Sequence, residues 1–327
     1  RKLGGILEIY EKFQGVDPRV TPMKIFPAVH YSMGGLWVDY ERSGSGGMVE
    51  GSPRNQQTSI PGLYAIGECD YQYHGANRLG ANSLLSCIFS GLFVAPTVAN
   101  ICGGDTKKRG VETGLFDAEV RRQEERHRAL LARTAGVENP YALHQELGSL
   151  MTRVATVVRR NDQLEAAYAD VCRMADRWTR CAVSDTGNWT NQNVVFTKAL
   201  GDMFPIAKLI LKGALLRDEC RGAHFKPDFA MPGLKATDPE GRRREAEQWC
   251  DAFEANTAKW LKSTIATCGP NGDPEISYQD VDTSLIPPRP RLYGLVGADA
   301  IEEVWRERSA HAAAASGGTA PRVGAGA

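Results

Sequence analysis

The sequence predicts an α+β protein with three successive parts: an α/β unit, a bundle of helices and a small irregular α+β domain. Three observations predict it. The stretch from Gly62 to Leu85 reads as a short buried strand, a glycine-containing loop and the start of a helix. From Phe116 onward, four long segments carry apolar residues at three- and four-residue spacing. After Arg221 the chain becomes proline-rich and less regular, with a strand-like segment from Glu275 to Tyr278.

Composition limits the classes of function. The chain has 327 residues, and 39 Lys and Arg residues balance 39 Asp and Glu residues, so the formal charge is zero. A neutral balance argues against a nucleic-acid-binding surface or a polybasic membrane patch. The longest apolar run, Leu84 to Ala99, is interrupted by Ser86, Ser90 and Pro96 and is expected to be too short to span a bilayer.

The cysteines predict neither disulfides nor a metal site. Eight of them are scattered along the chain without a C-x-x-C pair. Reduced and mostly buried thiols, as in a cytosolic protein, are the expected state. They are Cys69, Cys87, Cys102, Cys172, Cys181, Cys220, Cys250 and Cys268.

The first hundred residues contain several short elements. Arg1 to Phe13 has the apolar spacing of a helix that Gly15 ends. Thr21 to Val29 is expected to be extended, Gly34 to Tyr40 to form a strand, and Glu41 to Gln57 to form a hairpin or a surface excursion.

The stretch from Gly62 to Leu85 has the form of a ligand site. A buried strand is predicted from Leu63 to Ile66, a break at Gly67, and a helix whose first turn holds the residues from Gly80 to Ser83 and which ends near Cys102. Unpaired N–H groups and the positive end of a helix favour anionic or polar ligand atoms. Without further motifs, the pattern is equally typical of an ordinary turn between a strand and a helix.

The middle of the chain predicts an antiparallel helical bundle. Asp117, Asn139 and Asp162 are candidate N-caps or first-turn acids. The predicted helices run from Asp117 to Arg133, Pro140 to Arg160, Asp162 to Cys181 and Asn191 to Cys220.

The last hundred residues predict little regular structure. A short helix is expected from Arg242 to Leu261. Ser309 to Ala327 is rich in Ala and Gly and lacks apolar anchors, so a disordered tail is expected there.

Three motifs in fixed order carry a family resemblance. PAVHYSMGG ends at Gly35, GLYAIGE ends at Glu68, and HGANRLGANSLL ends at Leu85. With TPMKIFP, RGAHFKP and VDTSLIPPRPR, the chain from Arg1 to about Arg291 resembles the flavoprotein subunit of succinate dehydrogenase and fumarate reductase.

The resemblance implies a fold and a domain order. The fold is then an α+β fragment that contains the C-terminal part of an FAD-binding α/β domain, followed by a helical bundle domain and a small irregular α+β C-terminal domain. The implied segments are 1–20, the end of a capping domain; 21–104, the FAD-binding part; 105–222, the bundle; 223–308, the C-terminal domain; and 309–327, the tail.

Two residues suit the binding of a dicarboxylate. The guanidinium of Arg78 is permanently charged and can bind a carboxylate through two hydrogen bonds, and the imidazole of His30 can donate a hydrogen bond or carry charge. In the resembled family the corresponding residues bind the substrate carboxylates, which makes both candidate catalytic residues. By residue type alone, a core histidine is the more typical explanation of His30, and a structural ion pair is the more typical explanation of Arg78.

The resemblance also implies FAD and residues that contact it. Glu68 is expected to accept hydrogen bonds from ribityl or ribose hydroxyls, although a helix cap or salt bridge would also explain it. Ser83 and Leu84 are expected to offer backbone N–H groups to the pyrimidine edge of the flavin. Met33 and the two glycines after it would allow the backbone to pack closely against the cofactor.

The resemblance implies partners and missing parts. The family has a G-x-G-x-x-G segment for the FAD pyrophosphate and a proton-shuttling arginine, and neither lies in these residues. We therefore expect a C-terminal portion of the subunit, inactive alone and poorly soluble. The implied partners are an iron–sulfur subunit and, through it, a membrane anchor, on the cytoplasmic face of the cell membrane. No nucleic-acid partner is expected.

Two alternatives stay open at this stage. L-aspartate oxidase shares the architecture and has a similar pattern around His30 and Arg78, although SMGG and RLGANSLL favour the dehydrogenase and reductase subunits. A non-catalytic assembly module is the alternative from another class, and retention of both residues argues against it. His74 and Asn77 frame the loop before Arg78 and are expected to orient it or simply to pack. For His224, in RGAHFKP, the sequence gives no chemical role.

Overall fold

The fold was analysed in a computed structural model that describes residues 3–24, 30–70, 73–104, 113–284 and 286–315. The chain divides into two compact units, Arg1–Ser32 and Met33–Ala327. Most of the predicted extended segment from Thr21 to Val29 lies outside the described residues, as does part of the PAVHYSMGG motif. The domain boundaries implied by the resemblance stay predictions.

The first unit contains the helix predicted at the start of the chain. Helix α1 spans Gly4–Gln14 and ends at Gly15, whose φ is 67° and whose N–H donates to Glu11 O at 2.9 Å. A glycine in the left-handed region is a common way to end a helix, because it has no Cβ to clash. The predicted helix and its stop signal are confirmed.

The segment before the second helix is less regular than predicted. In the described part of residues 33–81 no strand forms, and the backbone pairs only through isolated β-bridges. These bridges join Leu36 with Asp70, Arg42 with Met48 and Gln57 with Tyr64. The prediction of a strand from Gly34 to Tyr40 is therefore wrong, because only Leu36 in this segment forms a β-bridge.

The buried strand predicted from Leu63 to Ile66 is also wrong. Leu63 is 49% exposed and Ile66 42% exposed, and only Ala65 between them is buried. Gly62 and Gly67 have φ values of 83° and 73°, so a turn bounds these four residues on each side. The apolar run is too short to extend a ladder between two such turns.

The polar excursion from Glu41 to Gln57 is a hairpin-like loop that returns into the protein. Ser43 N donates to Gly47 O at 2.7 Å at its tip. At its end Asn55 and Gln56 are fully buried, and Asn55 Oδ1 accepts from Glu41 N at 3.0 Å. Part of the excursion is therefore interior.

Helix α2 spans Asn82–Gly104, so it begins and ends close to the predicted positions. Gly80 and Ala81 precede it, and Ala81 has a φ of 66°. Within α2, the 22 residues Asn82–Gly103 contain an 18-residue window with a mean hydropathy of 1.8, and they are long and apolar enough to cross a membrane by length and composition. The expectation that the run is too short is wrong, because Pro96 does not end the helix. Core helices of soluble proteins pass the same test, so we assign no membrane topology.

Four helices form the predicted bundle. Helix α6 packs against α3, α4 and α5, and α4 also packs against α5. Leucines at helical spacing, including Leu143, Leu164, Leu200 and Leu211, are fully buried between them. The bounds are α3 Thr113–Leu131, α4 Pro140–Ala155, α5 Asn161–Trp178 and α6 Gln192–Leu215.

Of the three residues predicted as N-caps or first-turn acids, two have that role. Asn139 caps α4, because its Oδ1 accepts from Tyr141 N at 2.9 Å and Ala142 N at 3.4 Å. Asp162 is an acid in the first turn of α5. Asp117 is neither, because α3 begins earlier, at Thr113.

The last part of the chain is more ordered than predicted. Helix α7 spans Pro239–Trp260, and a hairpin follows in which β1, Lys262–Cys268, pairs antiparallel with β2, Pro274–Asp280. Helix α8 spans Ala298–Ala315 and packs against α7. The disordered tail predicted from Ser309 is therefore wrong as far as Ala315, and residues 316–327 lie outside the described part.

All eight cysteines are free thiols, and they are less buried than expected. Cys181 and Cys250 are buried, whereas Cys69, Cys102 and Cys268 are exposed. Among the described residues, the structure contains no group of three or more His, Cys, Asp or Glu side chains that could hold a metal ion.

Candidate active site

The turn that carries Glu68 is fixed to helix α2. It is a single 3-10 turn, Gly67–Cys69, and Glu68 is exposed on it. The N–H of Gly67 donates to Ser90 Oγ at 3.2 Å. A Cβ on Gly67 would lie 3.1 Å from Cys87 Sγ, so a side chain would push the turn away from the helix. The glycine therefore lets the turn that carries Glu68 pack close to α2.

The glycine pair after Met33 packs against the other side of this turn. The N–H of Leu36 donates to Cys69 O at 2.7 Å, and a Cβ on Gly35 would lie 2.4 Å from the same oxygen. Gly34, in contrast, faces open space. The close backbone approach at Gly35 is thus made to the protein itself, and only Gly34 leaves room for a ligand.

The loop that carries Arg78 is anchored to α2 by hydroxyl groups. We call residues 73–78, which comprise Tyr73 and the HGANR motif, the HGANR loop. Tyr73 Oη lies 2.5 Å from Ser90 Oγ, and His74 Nε2 lies 3.3 Å from Ser86 Oγ. Both serines are buried on the helix. Burial first, and the positive charge of Arg78 second, lower the pKa of His74 below its usual value. His74 is therefore neutral at physiological pH.

Arg78 is partly exposed at the end of this loop. Its Nη1 donates to the carbonyl of Leu79 at 3.2 Å. Its charge contributes to the lowered pKa of His74. The loop thus presents a permanent positive charge four residues before the helix begins at Asn82.

The first turn of α2 adds backbone donors to this region. The first N–H groups of a helix have no acceptor within it and carry its positive dipole. Ser83 is partly exposed and Leu84 is 72% exposed, so this turn is accessible to a ligand. A Cβ on Gly80 would meet no atom within 4 Å.

His30 and Arg78 belong to different compact units of the chain. His30 is exposed in the first unit, and Arg78 lies in the second. Their convergence on one substrate stays a prediction. Glu68, Arg78, Ser83 and Leu84, in contrast, all lie in the second unit and around the amino-terminal half of α2.

Sequence reasoning missed a turn from a distant part of the chain that packs on the HGANR loop. The N–H of Ala223 donates to Ala76 O at 3.0 Å. Gly222 has a φ of 59°, and a Cβ there would lie 2.2 Å from the same oxygen. The RGAHFKP motif was the available signal, but the residues alone did not indicate what it contacts.

His224 holds this turn as a neutral imidazole. Its Nδ1 lies 2.7 Å from Arg159 Nη1 and its Nε2 lies 2.8 Å from Arg217 O. The guanidinium can only donate and the carbonyl can only accept, so Nδ1 accepts and Nε2–H donates. Burial, aided by the charges of Arg159 and Lys226, lowers the pKa of His224 to about 4.

This pKa predicts acid sensitivity. A folded-state pKa of about 4, below the ordinary histidine pKa of 6.5, means that the unfolded chain binds the proton first as the pH falls. The contribution of His224 to stability is therefore complete above about pH 6.5 and is lost as the pH falls to about 4. The shift corresponds to at most about 3 kcal/mol, which solvent screening at this partly exposed ring reduces to about 1–2 kcal/mol.

Urea midpoints measured between pH 7 and pH 4 check this expectation. The wild type should lose more stability than His224→Gln across this range, because the variant has no imidazole to protonate. Equal losses in the two proteins would contradict it, as would an NMR titration of His224 that gives a pKa above 6.

The donors and spaces of this region fit a flavin nucleotide. An exposed carboxylate lies on the turn Gly67–Cys69, accessible N–H groups begin α2, and Gly34 and Gly80 leave open space beside the backbone. A carboxylate suits ribose or ribityl hydroxyls, and a helix amino terminus suits electron-rich ring atoms.

Comparison with known proteins agrees with this interpretation. Residues 1–84 match the family model described as an FAD binding domain. Residues 144–293 match the model described as the fumarate reductase flavoprotein C-terminal domain. The first match contains Glu68 and Arg78, and the second contains His224.

Individual relatives point the same way. The chain is 45% identical to the succinate dehydrogenase flavoprotein subunit of Bacillus subtilis over 89% of its length and 44% of the relative. It is 29% identical to the fumarate reductase flavoprotein subunit of Haemophilus influenzae, over 90% of its length and 42% of the relative. A solved structure of a variant of Escherichia coli quinol fumarate reductase FrdA superposes with a TM-score of 0.68 at 27% identity, over 90% of this chain and 44% of that one.

The fold and the site therefore define a flavoprotein, and FAD is its cofactor. The chain is an oxidoreductase homologue that spans less than half of the length of the relatives it matches. It belongs to the family of succinate dehydrogenase and fumarate reductase flavoprotein subunits.

Proposed function

We propose that this chain contributes to a flavoprotein subunit that interconverts succinate and fumarate. The observation that carries the proposal is the position of Arg78, a permanent cation on a loop anchored to the helix whose first turn offers N–H groups to a flavin. A four-carbon diacid bound there would lie next to the flavin edge. The family membership supports the same reaction.

Each predicted residue has a role in this proposal. Arg78 binds one substrate carboxylate through its two parallel N–H groups, and His30 donates to the other carboxylate. FAD, when bound, supplies the hydride donor or acceptor. Holding both carboxylates fixes the central carbon–carbon bond in register and replaces the water that would solvate the charges.

The cofactor contacts follow from the same geometry. Glu68 would accept hydrogen bonds from ribityl or ribose hydroxyls, and the N–H groups of Ser83 and Leu84 would donate to the pyrimidine edge of the flavin. Negative charge that develops on that edge would meet the positive end of α2. The segment 21–104 is then the FAD-binding part, between a capping-domain segment at 1–20 and the bundle at 105–222.

The relatives are named as subunits, and we propose partners on that basis. An iron–sulfur subunit would receive the electrons, and a membrane anchor would bind through it. The protein would then be peripheral on the cytoplasmic face of the cell membrane. Residues 223–308 would form the C-terminal domain of the subunit.

Sequential titration with FAD and malonate tests the proposal. Malonate is a dicarboxylate that cannot be oxidised or reduced at a central carbon–carbon double bond, so it reports binding alone. We expect FAD to bind to the full chain, with a change in flavin fluorescence. Malonate should then produce a saturable change in the flavin absorbance spectrum.

Propionate is the matched control, because it has a similar size and only one carboxylate. It should produce no saturable change at the concentrations where malonate saturates. A protein that binds FAD but responds equally to both acids would contradict the dicarboxylate site. A protein that binds neither FAD nor malonate would support a non-catalytic assembly module instead.

A further inference from the structure

We propose that the turn from Arg221 to His224 is a positioning element for Arg78. It holds the backbone of the HGANR loop at Ala76 and so determines where the guanidinium lies. The inference rests on the proposed function, because it assigns to a distant segment the task of placing the carboxylate-binding residue.

The contact itself is close and requires a glycine. Ala76, two residues before Arg78, accepts a hydrogen bond from Ala223 N at 3.0 Å. A Cβ on Gly222 would lie 2.2 Å from Ala76 O and 2.5 Å from Ala76 C. Both atoms belong to the backbone, so no side-chain rotation could relieve the clash. Any side chain at Gly222 must therefore move the loop or the turn.

The turn is rigid enough to position its neighbour. Arg221 N donates to His224 O at 2.9 Å, and His224 N donates to Arg221 O at 3.0 Å. The ring of His224 binds Arg159 on one side and the carbonyl of Arg217 on the other. Two residues further on, Lys226 is 1% exposed and donates to Leu215 O at 2.9 Å and to Asp218 Oδ1 at 3.0 Å. These bonds fix the turn to the end of α6.

The contact at Ala76 lies in the middle of the HGANR loop, after the residues that bind α2. Tyr73 and His74 bind the serines of α2 at its start, whereas Gly75 has a φ of 55° and Asn77 N makes a long bond of 3.3 Å to His74 O. The contact at Ala76 lies between these anchors and Arg78. A shift at Ala76 is thus transmitted to Arg78 across a single intervening residue.

Gly222→Ala, with Gly272→Ala as its control, tests this role. Both glycines have positive φ, 59° and 75°, so both substitutions strain the backbone, but a Cβ on Gly272 would meet no atom within 4 Å. In the FAD-loaded protein we expect Gly222→Ala to raise the malonate dissociation constant about tenfold, since small misplacements of a binding group are costly. Gly272→Ala should change it less than twofold, and the FAD affinity should stay the same in both.

Hydrogen exchange gives a second readout that needs no variant. Malonate bound to Arg78 should tighten the loop, so exchange of the Ala223 amide in the wild type should slow at least fivefold on malonate binding. This measurement decides the question if Gly222→Ala does not fold. Unchanged exchange at Ala223, or an unchanged malonate affinity in folded Gly222→Ala, would overturn the inference. A wild type that fails to bind malonate would instead overturn the proposed function, and the inference with it.

Discussion

Replacing Arg78 with alanine is expected to weaken malonate binding to the FAD-loaded protein about a hundredfold. A charge-assisted, two-point hydrogen bond to a carboxylate is worth about 3 kcal/mol, which corresponds to that factor. Arg78 is partly exposed on its loop and does not belong to the core, so the variant should fold. The measurement is a malonate titration followed by flavin absorbance.

Two further variants make the result specific. Arg78→Lys keeps the charge but loses the planar pair of N–H groups, and we expect an intermediate loss of about tenfold. Arg121→Ala removes an exposed arginine of α3 and should leave the affinity unchanged. FAD binding should be the same in all three proteins. A malonate affinity that survives Arg78→Ala would contradict the assignment of this residue as the carboxylate ligand.

Replacing Glu219 with alanine should destabilise the second unit by about 3–5 kcal/mol, the usual cost of breaking a buried ion pair. Glu219 is fully buried. Its carboxylate accepts from Arg217 Nε at 2.6 Å, from Arg221 Nε at 2.9 Å and from Asn256 Nδ2 at 3.3 Å. Its removal leaves two arginines without their shared anion.

Equilibrium unfolding in urea measures this effect. Glu219→Gln keeps the shape and some of the hydrogen bonds, so its loss should be smaller than that of the alanine variant. Glu119→Ala, which removes an exposed ion pair with Arg122 on the surface of α3, should change the midpoint little. A change below about 1 kcal/mol in Glu219→Ala would show that the arginines find water or other acceptors.

The bundle was predictable because its signal is local. Residues such as Leu143, Leu147 and Leu150 repeat at helical spacing and are buried on one face of α4, and Asn139 marks its start. Helix α8 was missed because its core contacts are non-local. Ile301 and Val304 are buried against Trp249 of α7, whereas the alanines after Ser309 give no periodic signal.

The strand predicted from Glu275 to Tyr278 is confirmed by β2, whereas the two strands predicted before α2 failed for a related reason. The apolar residues near Leu36 and Leu63 suggested strands, but each segment pairs through a single β-bridge. Positive φ values at Gly62 and Gly67 turn the backbone on both sides of the second segment. Propensity for extended structure does not show how many residues will find a partner. That information lies in the tertiary fold.

The candidate site was partly readable from the sequence. Glu68 and Arg78 were proposed because motifs of fixed order carry them, and both lie on turns fixed to α2. The role of Gly222 was not readable, because it depends on a contact with Ala76 from a distant part of the chain. A glycine in a motif indicates that a side chain would not fit there, but it does not indicate which neighbouring atom occupies the space.

Ala76 and Gly222 are in contact but lie far apart in the sequence, and this separation has a consequence for biosynthesis. The ribosome releases the segment with Arg78 long before it translates the turn that fixes it, and α3 to α6 emerge in between. A newly made chain therefore cannot complete the contact between Ala76 and this turn until translation has passed His224. If this contact positions Arg78 as we propose, the dicarboxylate site is completed late in maturation.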